Sequence, residues 1–154
     1  MQQTFDYKQF IVLVVDDEEI FLDMFKAAFG DQFRILTAGD AEEGLNLLKQ
    51  HKDEVGVLVA NLCMPGHDGV WLLEQARDVK PHLVRMLSSA MCPPTELLAL
   101  CRIGLHKFIS HPFARPAMEQ TLRGALEHFA EMNAFIGSAW PATQVPRTTP
   151  TTAR

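Results

Sequence analysis

The chain has 154 residues, 47% hydrophobic and 21% charged, with a formal net charge of -5, a composition that suits one globular domain with a substantial core. The acidic balance argues against nucleic-acid binding, which needs a basic face to neutralise phosphates. Cys63, Cys92 and Cys101 are odd in number and fit no paired metal spacing, so they are expected to be reduced thiols in a cytoplasmic protein.

The first apolar run, "FIVLVV" at 10–15, is too short to cross a membrane before it meets "DDEE", and no targeting or anchoring segment is expected. It reads as strand one, preceded by an N-terminal extension over 1–9. Ile20, Phe21, Met24, Phe25 and Ala28 mark the apolar stripe of helix one, which Gly30 ends. "FRILTA" at 33–38 is strand two. Asp40 caps a second helix running to about Gln50, with Ala41, Leu45 and Leu48 inward. "VGVLVAN" at 55–61 is strand three, and Val70, Leu73 and Ala76 mark a third helix that the pre-proline Lys80 closes. "LVRMLSS" at 83–89 is strand four. Pro93 and Pro94 open a fourth helix with Leu97, Leu98 and Cys101 inward. "KFIS" at 107–110 is strand five, and a fifth helix starts near Arg115 and continues to about Ile136. The Thr- and Pro-rich remainder, 137–154, is expected to be a disordered tail.

This alternation predicts an α/β fold with a parallel sheet covered by helices on both faces. In such sheets chemistry collects beyond the carboxyl ends of the strands. The residues there are Asp16 and Asp17, Asn61, Ser88 and Ser89, and Ser110, His111 and Pro112. Paired acids after a strand can equally be a solvated helix start, favoured by the helix dipole.

The motifs "VLVVDDEE", "LVANLCMPGHDG", "MLSSA" and "KFISHPF", in that order and spacing, together resemble the receiver domain of bacterial two-component response regulators. The resemblance spans about residues 10–131. It implies a (βα)5 flavodoxin-like fold with strand order 2-1-3-4-5, set as one receiver domain over 10–136. It also implies that Asp16 and Asp17 match the acids that help hold Mg2+, that Ser89 matches the hydroxyl beside the phosphate, and that Phe108 matches the aromatic that changes rotamer on activation. Two positions depart from the family. Asn61 stands where an aspartate accepts the phosphoryl group, and His111 stands where a lysine contacts it.

The chemistry of those departures follows from the side chains themselves. An aspartyl phosphate forms when an anionic oxygen attacks phosphorus, and an amide has no such oxygen. An imidazole with a reference pKa of about 6.5 carries only fractional charge at neutral pH, where an ammonium is fully charged. A weak or vestigial Mg2+ site at most is expected, and no other cofactor. His51, His67, His82, His106 and His128 read as surface histidines, because no two share a helix face at ligand spacing. Trp71 reads as packing beside the pocket, and Ser88 and Ser89 lack the base and orienting acid of a hydrolase.

The resulting expectation is a stand-alone pseudo-receiver, not an enzyme, that works in phosphorelay signalling as a phosphorylation-independent interaction module. Its partner, a histidine kinase, another regulator or a cyclic-nucleotide enzyme, would dock on helix four, strand five and helix five. Met118, Leu122, Ala125, Phe129, Met132 and Ile136 recur at intervals of four and three and suggest a homodimer through helix five. Two other readings stay open: a small-ligand or phosphate sensor using the acidic pocket, and a Mg2+-dependent phosphotransfer enzyme, which the missing nucleophile disfavours.

Overall fold

The computed structural model describes residues 3–90, 102 and 104–139. Five strands, β1 Ile11–Val15, β2 Arg34–Ala38, β3 Val55–Asn61, β4 Val84–Ser89 and β5 Lys107–Ser110, form one parallel sheet. Their order is β2-β1-β3-β4-β5, as the sequence led us to expect. Four helices have described bounds: α1 Glu19–Phe29, α2 Ala41–Gln50, α3 Gly69–Val79 and the C-terminal α4 Arg115–Ala139. The helix expected to open at Pro93 and Pro94 lies outside the described residues; of the tail expected over 137–154, residues 137–139 belong instead to the last helix, which continues the preceding turns, and the remainder lies outside the described residues.

Strands β1 and β4 are buried along their whole length, and β3 up to its last residue, Asn61, because helices cover both faces of a parallel sheet. Alternate side chains then serve two cores. Leu13, Val15, Leu58, Ala60 and Leu87 pack with Leu45 and Leu48 of α2 and Leu72, Leu73 and Ala76 of α3. Val12, Val14, Val57, Val59 and Met86 pack with Phe25 and Phe29 of α1 and Leu122, Leu126 and Phe129 of α4. Asp40 caps α2 by accepting from the Glu43 N–H at 2.7 Å, and Asp68 caps α3 by accepting from the Trp71 N–H at 2.9 Å.

Helix α1 corrects the predicted stripe. Leu22, Phe25 and Phe29 face the core, whereas Ile20 is 84% and Met24 55% exposed. Phe21, Phe25 and Ala28 and the buried Leu22, Phe25 and Phe29 lie on neighbouring rows of one helix, so a mixed apolar sequence does not set the rotation. The sheet does, by offering the aromatic pair Phe25 and Phe29 a pocket beside Phe33.

In α4, Met118, Leu122, Ala125 and Phe129 of the expected self-association seam are buried in the chain's own core. Past them the 25-residue helix runs on, and Met132 and Phe135 are exposed. The N-terminal extension packs on the same helix. Phe5, Tyr7 and Phe10 lie against the second core, the Tyr7 hydroxyl bonds Glu127, and the Arg123 guanidinium sits 4.6 Å over the Tyr7 ring.

Two histidines read as surface residues hold specific partners, His82 half-buried and His106 exposed. His82 stacks on Phe129 at 5.4 Å and donates from Nε2 to Asn133 Oδ1, while His106 Nδ1 accepts the Arg85 backbone N–H at 3.0 Å. Burial holds both rings below the ordinary imidazole pKa; Lys80 and Lys52 add to this at His82, Arg85 and His128 at His106. As pH falls through 6.5 the unfolded chain takes up protons that the folded chain refuses, so stability decreases until the depressed folded values are passed. A His82→Gln, His106→Asn double variant, which keeps both hydrogen-bonding atoms and loses both titrations, should therefore lose less thermal stability than the wild type on acidification below about pH 6.5. Melting curves across that range give the comparison, and parallel pH profiles would contradict it.

Candidate functional site

The carboxyl ends of β1, β3 and β4 and the residue after β5 converge on one cleft of about 350 Å³, lined by Asp16, Asp17, Glu18, Phe21, Asn61, Cys63, Ser89, Ala90 and His111. Of the six positions that the resemblance compares with the receiver site, Asp16, Asp17, Asn61, Ser89, His111 and Phe108, the first five thus meet, whereas Ser88, Ser110 and Pro112 are not in the lining. Asn61 pairs with Ser88 in the sheet register, and Ser89 with Ser110. The sixth, Phe108, is half-buried on β5 against the core shared with α2 and α3, outside the cleft lining.

Backbone hydrogen bonds hold the strand ends in place. The Asp16 N–H donates to Ala38 O, Leu62 N–H to Ser88 O at 2.9 Å, and His111 N–H to Ser89 O at 2.9 Å. After β3 the chain turns through Gly66 at φ 78°, a left-handed conformation that favours glycine, and returns so that the Gly69 N–H donates to Leu62 O at 3.0 Å. The His111–Pro112 peptide bond is cis.

Asp16 is only 3% exposed and Asp17 is open to solvent. Burial pushes the Asp16 carboxyl above its ordinary pKa, the nearby charges of Asp17 and Glu18 push the same way, and the Glu18 N–H, which donates to Oδ1 at 2.9 Å, opposes the shift together with His111. The Asn61 amide faces these acids. Its Nδ2 donates to Asp17 Oδ1 at 3.1 Å, to Asp16 Oδ1 at 3.4 Å and to the Cys63 carbonyl at 3.0 Å. Two hydrogens are shared among three acceptors, and the longest of these contacts is the weakest.

His111 stacks on Phe21 with ring centroids 5.0 Å apart and meets Phe113 edge-on at 5.6 Å. Its Nε2 is buried and finds no hydrogen-bond partner among the described residues. A lysine ammonium reaches into a phosphate pocket as a mobile point charge, whereas this imidazole is held as part of an aromatic group. Ser89 is buried beside it. Sequence reasoning did not find the Cys63 carbonyl, the Glu18 N–H or Phe21. The first two are backbone groups, which no residue pattern displays, and Phe21 stood only as a core residue of helix one.

The family resemblance implies a Mg2+ held by Asp16 and Asp17. The residues present do not fit that group through Oδ1 of either acid, because both Oδ1 atoms accept from the amide of Asn61. Among the described residues no three His, Cys, Asp or Glu side chains are grouped to hold a metal ion. Outside the cleft, His67 stacks on Trp71 at 3.8 Å with Glu42 at 3.7 Å from its Nε2, which places Trp71 in a surface ring pair at the start of α3.

Comparison with known proteins agrees with this architecture. A family model for the response regulator receiver domain matches residues 12–123. The hydrogenase transcriptional regulatory protein HoxA of Cupriavidus necator is 32% identical over 121 residues, covering 78% of this chain and 25% of that protein. The chain thus spans about a quarter of the length of that relative. A response regulator receiver domain protein from Clostridium thermocellum superposes with a TM-score of 0.75 at 19% identity, covering 80% of this chain and 98% of the other. A CheY-like receiver protein from Methanospirillum hungatei gives 0.74 at 19% identity, covering 81% and 99%.

Gly69 shows how closely the site is built. A Cβ there would stand 2.3 Å from the Asn61 carbonyl oxygen and 2.8 Å from Leu87 Cδ1. The first contact is with backbone and cannot be relieved by a rotamer change, so Gly69→Ala should destabilise the fold by about 1–3 kcal/mol, the usual range for overpacking. Urea denaturation measures this, and an unchanged midpoint would show that the β3–α3 turn is looser than described.

Proposed function

This chain belongs to the response regulator receiver domain family of two-component signalling, and we propose that within it the chain acts as a pseudo-receiver, passing on a signal through protein contacts without phosphorylation of its own. One observation carries the reading: the side chain at the end of β3 is an amide whose nitrogen is bound to Asp16, Asp17 and the Cys63 carbonyl. A neutral amide has no anionic oxygen with which to attack phosphorus, and this one turns its donors toward the acids. His111, stacked on Phe21, does not provide the fixed cation on which phosphoryl transfer depends.

A partner would dock on the edge strand β5 and the exposed side of the C-terminal helix, together with the segment before β5. A histidine kinase, a regulator or a cyclic-nucleotide enzyme would suit such a surface. A second copy of the chain is a further candidate at the end of α4, where Met132, Phe135 and Ile136 extend past the core residues of the helix. In this reading the chain is a binding module and not an enzyme.

Phosphoryl labelling tests the proposal. With acetyl phosphate in magnesium-containing buffer, intact-mass spectrometry should show no acid-labile phosphate on the wild type. Asn61→Asp should label slowly, because it restores an anionic oxygen without the cation, and Asn61→Asp with His111→Lys should label faster. Robust labelling of the wild type would sink the proposal.

A further inference from the structure

The pocket that receivers use for a metal is already occupied by a side chain here. Asp16 Oδ1, Asp17 Oδ1 and the Cys63 carbonyl all lie within 3.4 Å of the one nitrogen atom, Nδ2 of Asn61. We propose that the Asn61 amide takes the place of a divalent cation, holding the two carboxylates together in a metal-free resting state and excluding Mg2+ from the pocket. The inference rests on the reading of Asn61 given above, and it concerns a different property of that residue.

First, the buried Asp16 needs compensation inside the protein, and its Oδ1 accepts from the Glu18 N–H and the Asn61 amide. The amide also bonds Asp17, so one group spans both acids.

Second, Mg2+ demands oxygen ligands at about 2.0–2.1 Å in octahedral array. A cation touching these three oxygens would have to stand where the amide hydrogens point. The amide and the ion therefore compete for one space, and the neutral amide is always present.

Third, turning the amide over does not admit the ion cheaply. Rotation would offer Oδ1 as a ligand, but it would remove the donated hydrogen bonds from two carboxylates and a carbonyl, so coordination of the ion must first replace them. An aspartate at the same position would behave in the opposite way: with no donor, it would add repulsion that only a cation relieves. The substitution of amide for carboxylate thus changes the pocket from one that requires a metal to one that does without.

The test compares wild type, Asn61→Ala and Asn61→Asp by thermal unfolding against added Mg2+, with ionic strength held constant. Alanine removes the competing donors and adds no ligand. It should bind Mg2+ about tenfold more tightly than the wild type, the factor expected for losing one hydrogen bond to a charged acceptor, and Asn61→Asp more tightly still. If Asn61 served as a metal ligand through Oδ1, alanine would instead bind more weakly than the wild type, and that order would overturn the proposal. Should Asn61→Ala fail to fold, the side-chain amide resonances of Asn61 in the wild type decide. They should stay unmoved by Mg2+ at about 10 mM, a concentration that would stabilise a chain with millimolar affinity, and a saturable shift would overturn the proposal. Labelling of the wild type would defeat the pseudo-receiver reading whatever the metal result, and a wild type that binds Mg2+ as tightly as Asn61→Ala would defeat this inference while leaving the missing nucleophile untouched.

Discussion

The burial of Asp16 is the constraint on which the rest of the cleft depends. A carboxylate at 3% exposure, whose pKa is raised by burial and by the charges of Asp17 and Glu18, needs hydrogen-bond donors from the protein. Those donors come from the first residues after β1 and from the last residue of β3. The ends of two strands are therefore joined by the needs of one side chain. The β3–α3 turn follows from the same need, since the Cys63 carbonyl must face the amide that Asp16 and Asp17 share.

The opposite end of the sheet shows the same physics with reversed sign. Lys80, capping α3, is 5% exposed, and its ammonium is satisfied by the Lys52 and Val55 carbonyls, the latter at 2.6 Å, and by the Phe129 ring at 4.8 Å. Burial holds its pKa below the ordinary lysine value. Among the described residues no carboxylate is bonded to Nζ; carbonyl dipoles and an aromatic face, helped by the nearby charge of Asp53, take the place of an ion pair. In both places a buried charge is met by neutral polar groups held rigidly, so each end of the domain is pinned without a mobile counter-ion.

Between these ends the two cores divide the labour. The face covered by α2 and α3 is aliphatic, whereas the face covered by α1 and α4 is rich in phenylalanine, with Phe25, Phe29, Phe33 and Phe129 fully buried. Large rings tolerate few rotations of the helix that carries them. That explains why α1 turns Ile20 and Met24 to solvent to seat Phe25 and Phe29, and why α4, anchored by Phe129, is further clasped by Tyr7 and Phe10 from the N-terminal extension. The extension, which carries no periodic signal of its own, is ordered by aromatic contacts with distant residues.

The sequence by itself determined the strand set, the helix ends marked by Gly30, Asp40 and Lys80, and the parallel sense of the sheet, because periodicity, capping chemistry and strand–helix alternation are local rules, while the strand order came with the resemblance to receiver domains. It also determined which residue types stand at the strand ends, and hence that the side chain closing β3 has no nucleophilic oxygen. Only the tertiary structure decided how α1 is rotated, that most of the apolar seam of α4 is buried in the chain's own core, and that His82 and His106 are partly desolvated. It alone decided that the amide of Asn61 points its nitrogen at three oxygens drawn from two separate loops. Those outcomes depend on packing volumes and on backbone carbonyls, which no one-dimensional pattern records. An amide looks the same in a sequence whichever end it turns to its neighbours, and the acids across the sheet fix that choice.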